Sequence, residues 1–576
     1  MSNFFLAIAK PGKAERIRAW LDTYAGQDEY LQLTLECGDI AIIATRGVGE
    51  CFRGNSFFKG SAFGKRTAIL SAVGLAQFER DEPFENLRQF TGSFYSCRFG
   101  SDSARVVRDL FGMANLFYTT AGDFAAASDS LAVLASLRRH LGLKNTLSEE
   151  VILARSLLNN LSCHQLSGDS FVCEIEFAVP GQALDITSRG IDLWAQSPDF
   201  ADSERTYEEL LVDTADEIGT VLLAVSDDQS LATNLHLSGG MDSRTVLAAL
   251  DNFQLDYQVS TGRVAGKINE DYLIAENLAK WVGVKFGFED PAAPDGPSIL
   301  KFTNWASSLA GYYDDFGPSR VRDPRPDFVG INGIGGELGR DYWGRYDLEG
   351  LVQSKTSLDD IHTEPLQVDA FREQIRKGNA KLSFTRKDLP ASKTMYVGYR
   401  ISAHSLANTL SLEMRTVSPL VTTSWMRIGC MEIGEEIDPT LDLLAYFNPR
   451  LATIPFEGGR YFSSDQLSAS LDRVGPLPPV KPDPRIYGNS PSRIWGPSQL
   501  GLNIGAELGY SGLKDYQDIK TRALDCVDAL PGGFIRDTYS RIAKNADWMI
   551  SKANGHYDAA GPAPAKVASL ILLANI

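Results

Sequence analysis

The chain is short of cysteine, of basic charge and of long apolar runs, and each shortage closes off a class of explanation. Its seven cysteines in 576 residues (Cys37, Cys51, Cys97, Cys163, Cys173, Cys430 and Cys526) are odd in number, widely spaced and without a C-x-x-C pair. That argues against a disulfide framework and against a structural zinc site. The six histidines show no metal-ligand spacing. Lys and Arg number 56 against 73 Asp and Glu, a formal net charge of -17. Broad nucleic-acid binding needs clustered cations, so it is not expected; a local basic patch around one nucleotide remains compatible. No apolar run reaches the roughly 20 residues that span a membrane. The apolar stretch in MSNFFLAIAKPGK has no basic region before it, so no signal peptide is expected and the cytoplasm is the expected location. There is no repeat of about 20–50 residues. What remains is an ordinary globular composition, 44% hydrophobic and 22% charged, sufficient for several large cores.

The pattern changes partway along the chain. IAIIAT (40–45), SFYSCRF (93–99), NLFYTT (115–120) and FVCEIEF (171–177) are rich in β-branched and aromatic residues and predict strands of an antiparallel-sheet unit. SLAVLASLRRHLG (130–142) predicts a helix within it. The polar AQSPDFADSE (195–204) reads as a boundary. Beyond it, Leu210, Leu211, Ala215, Ile218, Val221, Leu222 and Val225 recur at helical spacing. A strand (231–237), a helix after residue 243, a strand (255–261) and a helix (270–283) follow, an alternation that predicts a parallel sheet with helices on its faces. The Pro-rich PLPPVKPDPR (476–485) predicts an extended loop.

Between the strand at 231–237 and its helix lies Ser238-Gly239-Gly240-Met241-Asp242-Ser243. Two glycines allow a tight turn that brings backbone N–H groups close to a ligand. The helix that follows adds its positive N-terminal end, which suits phosphate or pyrophosphate. Ser238 and Ser243 offer hydroxyls, and Asp242 is a carboxylate of the kind that holds Mg²⁺ beside nucleotide phosphates. The spacing and the absent Lys rule out a Walker A loop.

SGGMDS resembles the pyrophosphate loop of the N-type ATP pyrophosphatases, and the chain as a whole resembles the asparagine synthetase family. LHLSGGMDSRTVLAAL is similar to that family's first strand, loop and helix. YQVSTG (257–262), with Ser260 and Gly262, resembles its adenine-contacting strand, and NEDYLIAENLAKWVGV (269–284) its D-E-x-x-x-A helix. INGIGGELGRDYW (331–343) is similar to L-S-G-E-G-A-D-E, and LSLEMRTVSPLV (410–421) to E-x-R-x-P-F-L-D. In the first third, RDLFGMANLFY (108–118), ASDSLAVLASL (127–137) and VPGQALDI (179–186) resemble family segments in the right order. The resemblance implies an α/β protein of two domains. Residues 1–200 would form an Ntn-like β-sandwich of the class II glutamine amidotransferase kind. Residues 201–576 would form a parallel-sheet PP-loop synthetase domain, like the adenine nucleotide alpha hydrolases. It implies ATP and Mg²⁺, with Ser238, Gly239, Gly240, Met241, Asp242, Ser243, Ser260, Gly262 and Gly335 around the nucleotide and Asp242 and Glu337 as metal ligands; the other reading of Glu337 is a solvated loop acid.

Departures from the family narrow the function. Glutamine-using members carry an N-terminal Cys nucleophile; position 2 here is Ser, a far weaker nucleophile near pH 7. The R-G-P-D and N-G-E segments are absent, so the N-terminal domain is expected to lack glutaminase activity. An amine other than released ammonia must then attack the activated carboxylate, as in the family's β-lactam synthetase, carbapenam synthetase and lasso peptide cyclase branches. The chain looks most like the peptide cyclases. That implies a precursor peptide as substrate, with a leader-peptide protease and a leader-recognition protein as partners, and no nucleic acid or membrane. Rivals are an asparagine synthetase-like or β-lactam synthetase-like enzyme using ammonia or a small amine, and a non-catalytic peptide-binding scaffold. Ile334 stands where the family has Glu or Tyr, so the proton acceptor lies elsewhere or the amine arrives already neutral. Glu413 is a candidate, or else a structural ion pair with Arg415. Lys481 is a candidate for the family's C-terminal catalytic Lys, or else a plain exposed Lys. Asp314 and Asp315 read as a solvated turn, or else as contacts to substrate. Of Tyr312, Tyr313, Tyr342, Trp343 and Tyr346, most read as core and one or two as pocket lining.

Overall fold

The computed structural model describes residues 3–195, 205–228, 230–261, 269–287, 299–317, 327–357, 363–382, 389–405, 415–488, 498–530, 533–553 and 560–576. In the N-terminal third, two sheets lie face to face. The first runs in the order Glu176–Phe177, Phe117–Ala121, Phe124–Ser128, Phe5–Ala9, Ile40–Ala44, Tyr30–Thr34, all antiparallel. The second runs Gly190–Ala195, Gln182–Thr187, Ala104–Arg108, Thr91–Phe99, Ser56–Gly64, Thr67–Ile69, and ends on Arg485–Tyr487. Successive side chains point to opposite faces of a strand, and both faces here are covered. Leu6, Ile8, Ala41, Ile43, Ala125 and Ala127 meet Phe57, Tyr95, Cys97, Val106, Leu184 and Ile186 between the sheets. The alternate set, Phe5, Ala7, Ile42 and Ala126, shares a core with Ile17, Trp20, Leu21 and Leu134 of helices Pro11–Tyr24 and Leu131–His140. Phe58, Ala62, Phe94 and Val107 of the second sheet meet Leu75 and Phe78 of helix Ala72–Asp81. The result is four layers: helix, sheet, sheet, helix.

Strand Ser56–Gly64 is buried along eight of its nine residues. A strand covered on both sides has no polar alternation to reveal it, and it is absent from the expected strands. The opposite error occurs at 171–177, where only Glu176–Phe177 pair as a strand. Phe171, Val172 and Ile175 are buried from a turn, so an apolar run there marks core, not strand.

Farther along, four strands form a wholly parallel sheet in the order Gln258–Ser260, Ala232–His236, Phe328–Ile331, Arg415–Val417. Helix Tyr207–Ser226 begins with a capping box from Thr206 and Glu209, and its expected apolar stripe is buried. It packs on this sheet together with helix Met241–Asn252, which follows the first strand. Strand Ala232–His236 is flanked on one side by the next strand in sequence and on the other by the one after that. The chain therefore reverses direction across it, a switch point of the kind where loops part and leave a crevice at the carboxyl ends of the strands.

The two regions are tied together. Arg485–Tyr487, at the end of the expected Pro-rich loop, pairs parallel with Thr67–Ile69 and extends the N-terminal sheet. Arg66 and Lys65 pair with Asp216 and Asp213 at 2.7 Å each. None of the seven cysteines, all of them described, is in a disulfide. No described helix is long and apolar enough to cross a membrane.

Candidate functional site

The loop Ser238–Ser243 sits at the carboxyl end of the switch-point strand. Gly240 is the N-cap of helix Met241–Asn252 and no side chain caps it, so the first-turn N–H groups keep their partial positive charge for a ligand. The loop is braced from within. The Ser238 N–H donates to Ser243 Oγ (3.1 Å), the two hydroxyls lie 3.0 Å apart, and the Gly240 N–H donates to Ser238 Oγ (3.3 Å). The Gly239 N–H donates to Asp271 Oδ1 (2.6 Å), from the helix Glu270–Val282. Met241 packs on the core at the helix start.

The second segment follows strand Phe328–Ile331, next in the sheet. Gly335 has φ 104°, and a Cβ there would strike Leu420 and Val421, so the position needs glycine. The turn Gly336–Gly339 is held from below. Trp425 Nε1 donates to the Gly336 carbonyl (3.1 Å), and buried Lys393 donates to the carbonyls of Leu338 (2.6 Å) and Arg340 (2.9 Å). Burial pushes the Lys393 ammonium down to about 8. The Gly339 backbone lies directly on the Trp425 ring, and that of Gly336 on the Asp242 carboxylate, each too close for a Cβ. Gly336→Ala is accordingly expected to lose about 1–3 kcal/mol of stability through overpacking, read as a lower thermal midpoint. An unchanged midpoint contradicts this close approach.

These contacts bring Asp242 and Glu337 together, 95 residues apart in sequence. Asp242 Oδ1 and Glu337 Oε2 are both buried and lack a hydrogen-bond partner among the described residues. Burial, first, pushes Asp242 up to about 6; Glu337 adds to the rise and Arg340 opposes it. Arg340 Nη2 donates to Asp242 Oδ2 at 2.8 Å, and its Nη1 lies 3.5 Å from Thr440 Oγ1. Orphaned buried carboxylate oxygens are costly unless something pairs with them. Among the described residues no group of three or more His, Cys, Asp or Glu is arranged for a metal. The donor set is therefore two carboxylates, which fits Mg²⁺ completed by phosphates and water rather than an all-protein cage.

Other expected site residues fall differently. Ser260 is at the same end of the sheet, but it is buried and its Oγ accepts from Asn234 Nδ2 (2.8 Å). Gly262, Glu413 and Ser2 lie outside the described residues. Arg415 donates to the Gly60 carbonyl (3.0 Å) and Ser61 Oγ (2.7 Å) of the N-terminal sheet. Lys481 is not brought to the loop. It lines a cavity of about 680 Å³ with Asn252, Phe253 and Gln254, at the far end of the helix whose N-terminus is the loop. Twelve helical residues put that end about 15 Å or more from the carboxylates. The Pro-rich segment runs toward the N-terminal sheet instead. Asp314 is not solvated: it is 2% exposed and ion-paired with Arg155 and Lys566. Of the aromatics, Tyr312 and Tyr313 are core, whereas Tyr342 (58% exposed) and Tyr346 (40%) are at the surface beside the Glu337 turn.

Residues without a motif complete the surroundings. A π-turn, Tyr396–Arg400, interrupts the helical stretch Ala391–His404, a distortion common at functional sites. Tyr396 packs on Tyr342 (5.5 Å) and Trp343 (5.1 Å), and Arg400 Nη2 is 3.4 Å from His404 Nδ1. Nothing in the local sequence signals a π-turn.

No protein-family model matches the chain, and no curated protein matches it. Solved structures similar to it include the allosteric regulatory enzyme of purine biosynthesis: 10% identity, 58% of this chain, 76% of that chain, TM-score 0.21. Another is glutamine phosphoribosylpyrophosphate amidotransferase from B. subtilis, complexed with ADP and GMP: 9% identity, 58% and 77%, TM-score 0.20. Likeness at these scores carries no argument about activity. What the chain itself displays is a mixed α/β architecture of several sheets.

Proposed function

We propose that the protein is an ATP-dependent carbon–nitrogen ligase that adenylates a carboxylate, releases pyrophosphate and passes the acyl group to an amine, releasing AMP. The observation that carries this reading is the pairing of an uncapped, serine-braced helix N-terminus with two orphaned carboxylates at the switch point of a parallel sheet. In it, the uncapped first-turn N–H groups from Met241 onward would receive the β,γ-phosphates, and Asp242 and Glu337 would hold Mg²⁺. When bound, the metal supplies positive charge against the departing pyrophosphate. The chain's own part is positioning: Ser238 and Ser243 shape the loop, while Lys393 and Trp425 fix the height of the Glu337 turn against Asp242.

The favoured product is a peptide macrolactam, of the kind closed in a lasso peptide precursor. The exposed Tyr342, five residues beyond Glu337 and packed on Tyr396, offers an aromatic surface to a peptide substrate. A peptide α-amine, ordinarily near pKa 8, needs less help to lose its proton than a lysine amine would, which fits Ile334 in place of an acid or phenol. On this reading the N-terminal layers, 1–200, act as a scaffold without glutaminase activity, and 201–576 carry the chemistry; a leader protease and a leader-recognition protein prepare the peptide.

ATP–pyrophosphate exchange with purified protein tests the reading. Exchange stimulated by a precursor peptide, with no glutamate released from glutamine, is the expected result. Exchange stimulated only by a small amino acid with ammonia favours the asparagine synthetase-like rival. No exchange with any carboxylate favours a scaffold.

A further inference from the structure

Among the described residues, the cation on the phosphate loop is Arg340, not Lys481. Its guanidinium is bound through Nη2 to Asp242 Oδ2, and its side chain is about a quarter exposed. It belongs to the same turn as Glu337, and the backbone of that turn is fixed by Lys393 and Trp425. The guanidinium therefore sits on a rigid base with only its side chain free to move. Its second partner, Thr440 Oγ1 at 3.5 Å, is weak.

Two carboxylates close enough that Glu337 raises the cost of ionising Asp242 need a compensating cation before any metal arrives. Arg340 meets that need on Asp242 while leaving Oδ1 and the Glu337 Oε2 without hydrogen-bond partners among the described residues. A divalent ion on those oxygens would repel the guanidinium, and the phosphates arriving with it would offer Arg340 a bidentate anionic partner. We infer that Arg340 is an exchangeable counter-ion: it pairs with Asp242 in the metal-free protein and turns to the nucleotide's phosphates when metal and nucleotide bind. The inference rests on the nucleotide reading above. It places a cation beside the nucleotide's phosphates without Lys481, the candidate for the family's C-terminal catalytic Lys.

The role predicts opposite changes in two affinities, which a merely structural salt bridge does not. In the full-length protein, Arg340→Met removes a competitor for Asp242. Mn²⁺ alone, measured by calorimetry, should then bind about tenfold more tightly than to wild type. Mg-pyrophosphate should bind about tenfold more weakly, because the phosphate contact is lost. Arg340→Lys should recover part of the pyrophosphate affinity, and Lys481→Met should change neither quantity. Wild-type binding of both ligands, with Arg340→Met unchanged or weakened for both, overturns this inference alone. Wild-type protein that binds no Mg-pyrophosphate overturns the nucleotide reading and this inference with it.

Discussion

Asp242→Ala is expected to reduce ATP–pyrophosphate exchange by at least about a hundredfold, the scale seen when one preorganised electrostatic group is removed from a charge-transfer site. The expectation follows from how completely the fold commits this side chain. Asp242 lies in the first turn of the helix after the loop, yet it makes no cap. One oxygen is taken by Arg340 and the other is buried against the Gly336 backbone, without a partner among the described residues. A carboxylate of this kind serves no purpose in local structure, and burial works against its charge. Removing it should leave the fold intact, since Ser238 and Ser243 brace the loop without it. Circular dichroism and thermal midpoint should stay near wild type while exchange is lost. Exchange within twofold of wild type would place the chemistry elsewhere. Asp242→Asn should lose nearly as much, because the amide keeps the shape and removes the charge. Glu337→Gln should follow it if the two carboxylates act on one metal.

Much of this site could be read from the linear sequence, for a physical reason. The loop at 238–243 is a local device: its glycines, hydroxyls and carboxylate lie within six residues, and helix and strand periodicity flank them. Helices Tyr207–Ser226 and Glu270–Val282 and strand Ala232–His236 were legible on the same ground, since each carries its own apolar pattern. What escaped depends on distant partners. Strand Ser56–Gly64 has no alternation because both its faces are covered. Arg340 carries no motif and meets Asp242 only where the turn after one strand meets the loop after another. Lys481 looked suitable by order along the chain, but the segment that holds it runs along the far end of the helix and on to the N-terminal sheet. The buried acid at position 314 was unreadable for the same reason: Gly-Tyr-Tyr-Asp-Asp-Phe-Gly has a turn's composition, and its partners come from residues 155 and 566.

That acid carries the largest expected effect on stability. Asp314→Ala should cost about 3–5 kcal/mol, the usual result of removing one partner from a buried ionic group. Asp314 Oδ2 lies 3.1 Å from both Arg155 Nη2 and Lys566 Nζ, and the three side chains are 1–2% exposed. Arg155 ends helix Glu149–Arg155 and donates also to the Gly311 carbonyl; Lys566, in helix Ala563–Asn575, donates also to the carbonyls of Arg155 and Ser162. Burial pushes the Lys566 ammonium down and Asp314 opposes it, so without the aspartate two cations would be left close together in a dry interior. The triad therefore joins the N-terminal layers, the turn at 311–316 and the last described helix. Its loss should lower the denaturant midpoint without changing nucleotide affinity, because nothing in it touches the loop at 238–243. Lys566→Met should partly rescue Asp314→Ala, since it removes one of the two stranded charges; a double variant no more stable than Asp314→Ala alone would show that the carboxylate's worth lies outside this pairing. An Asp314→Ala midpoint equal to wild type would show that the cluster is solvated after all.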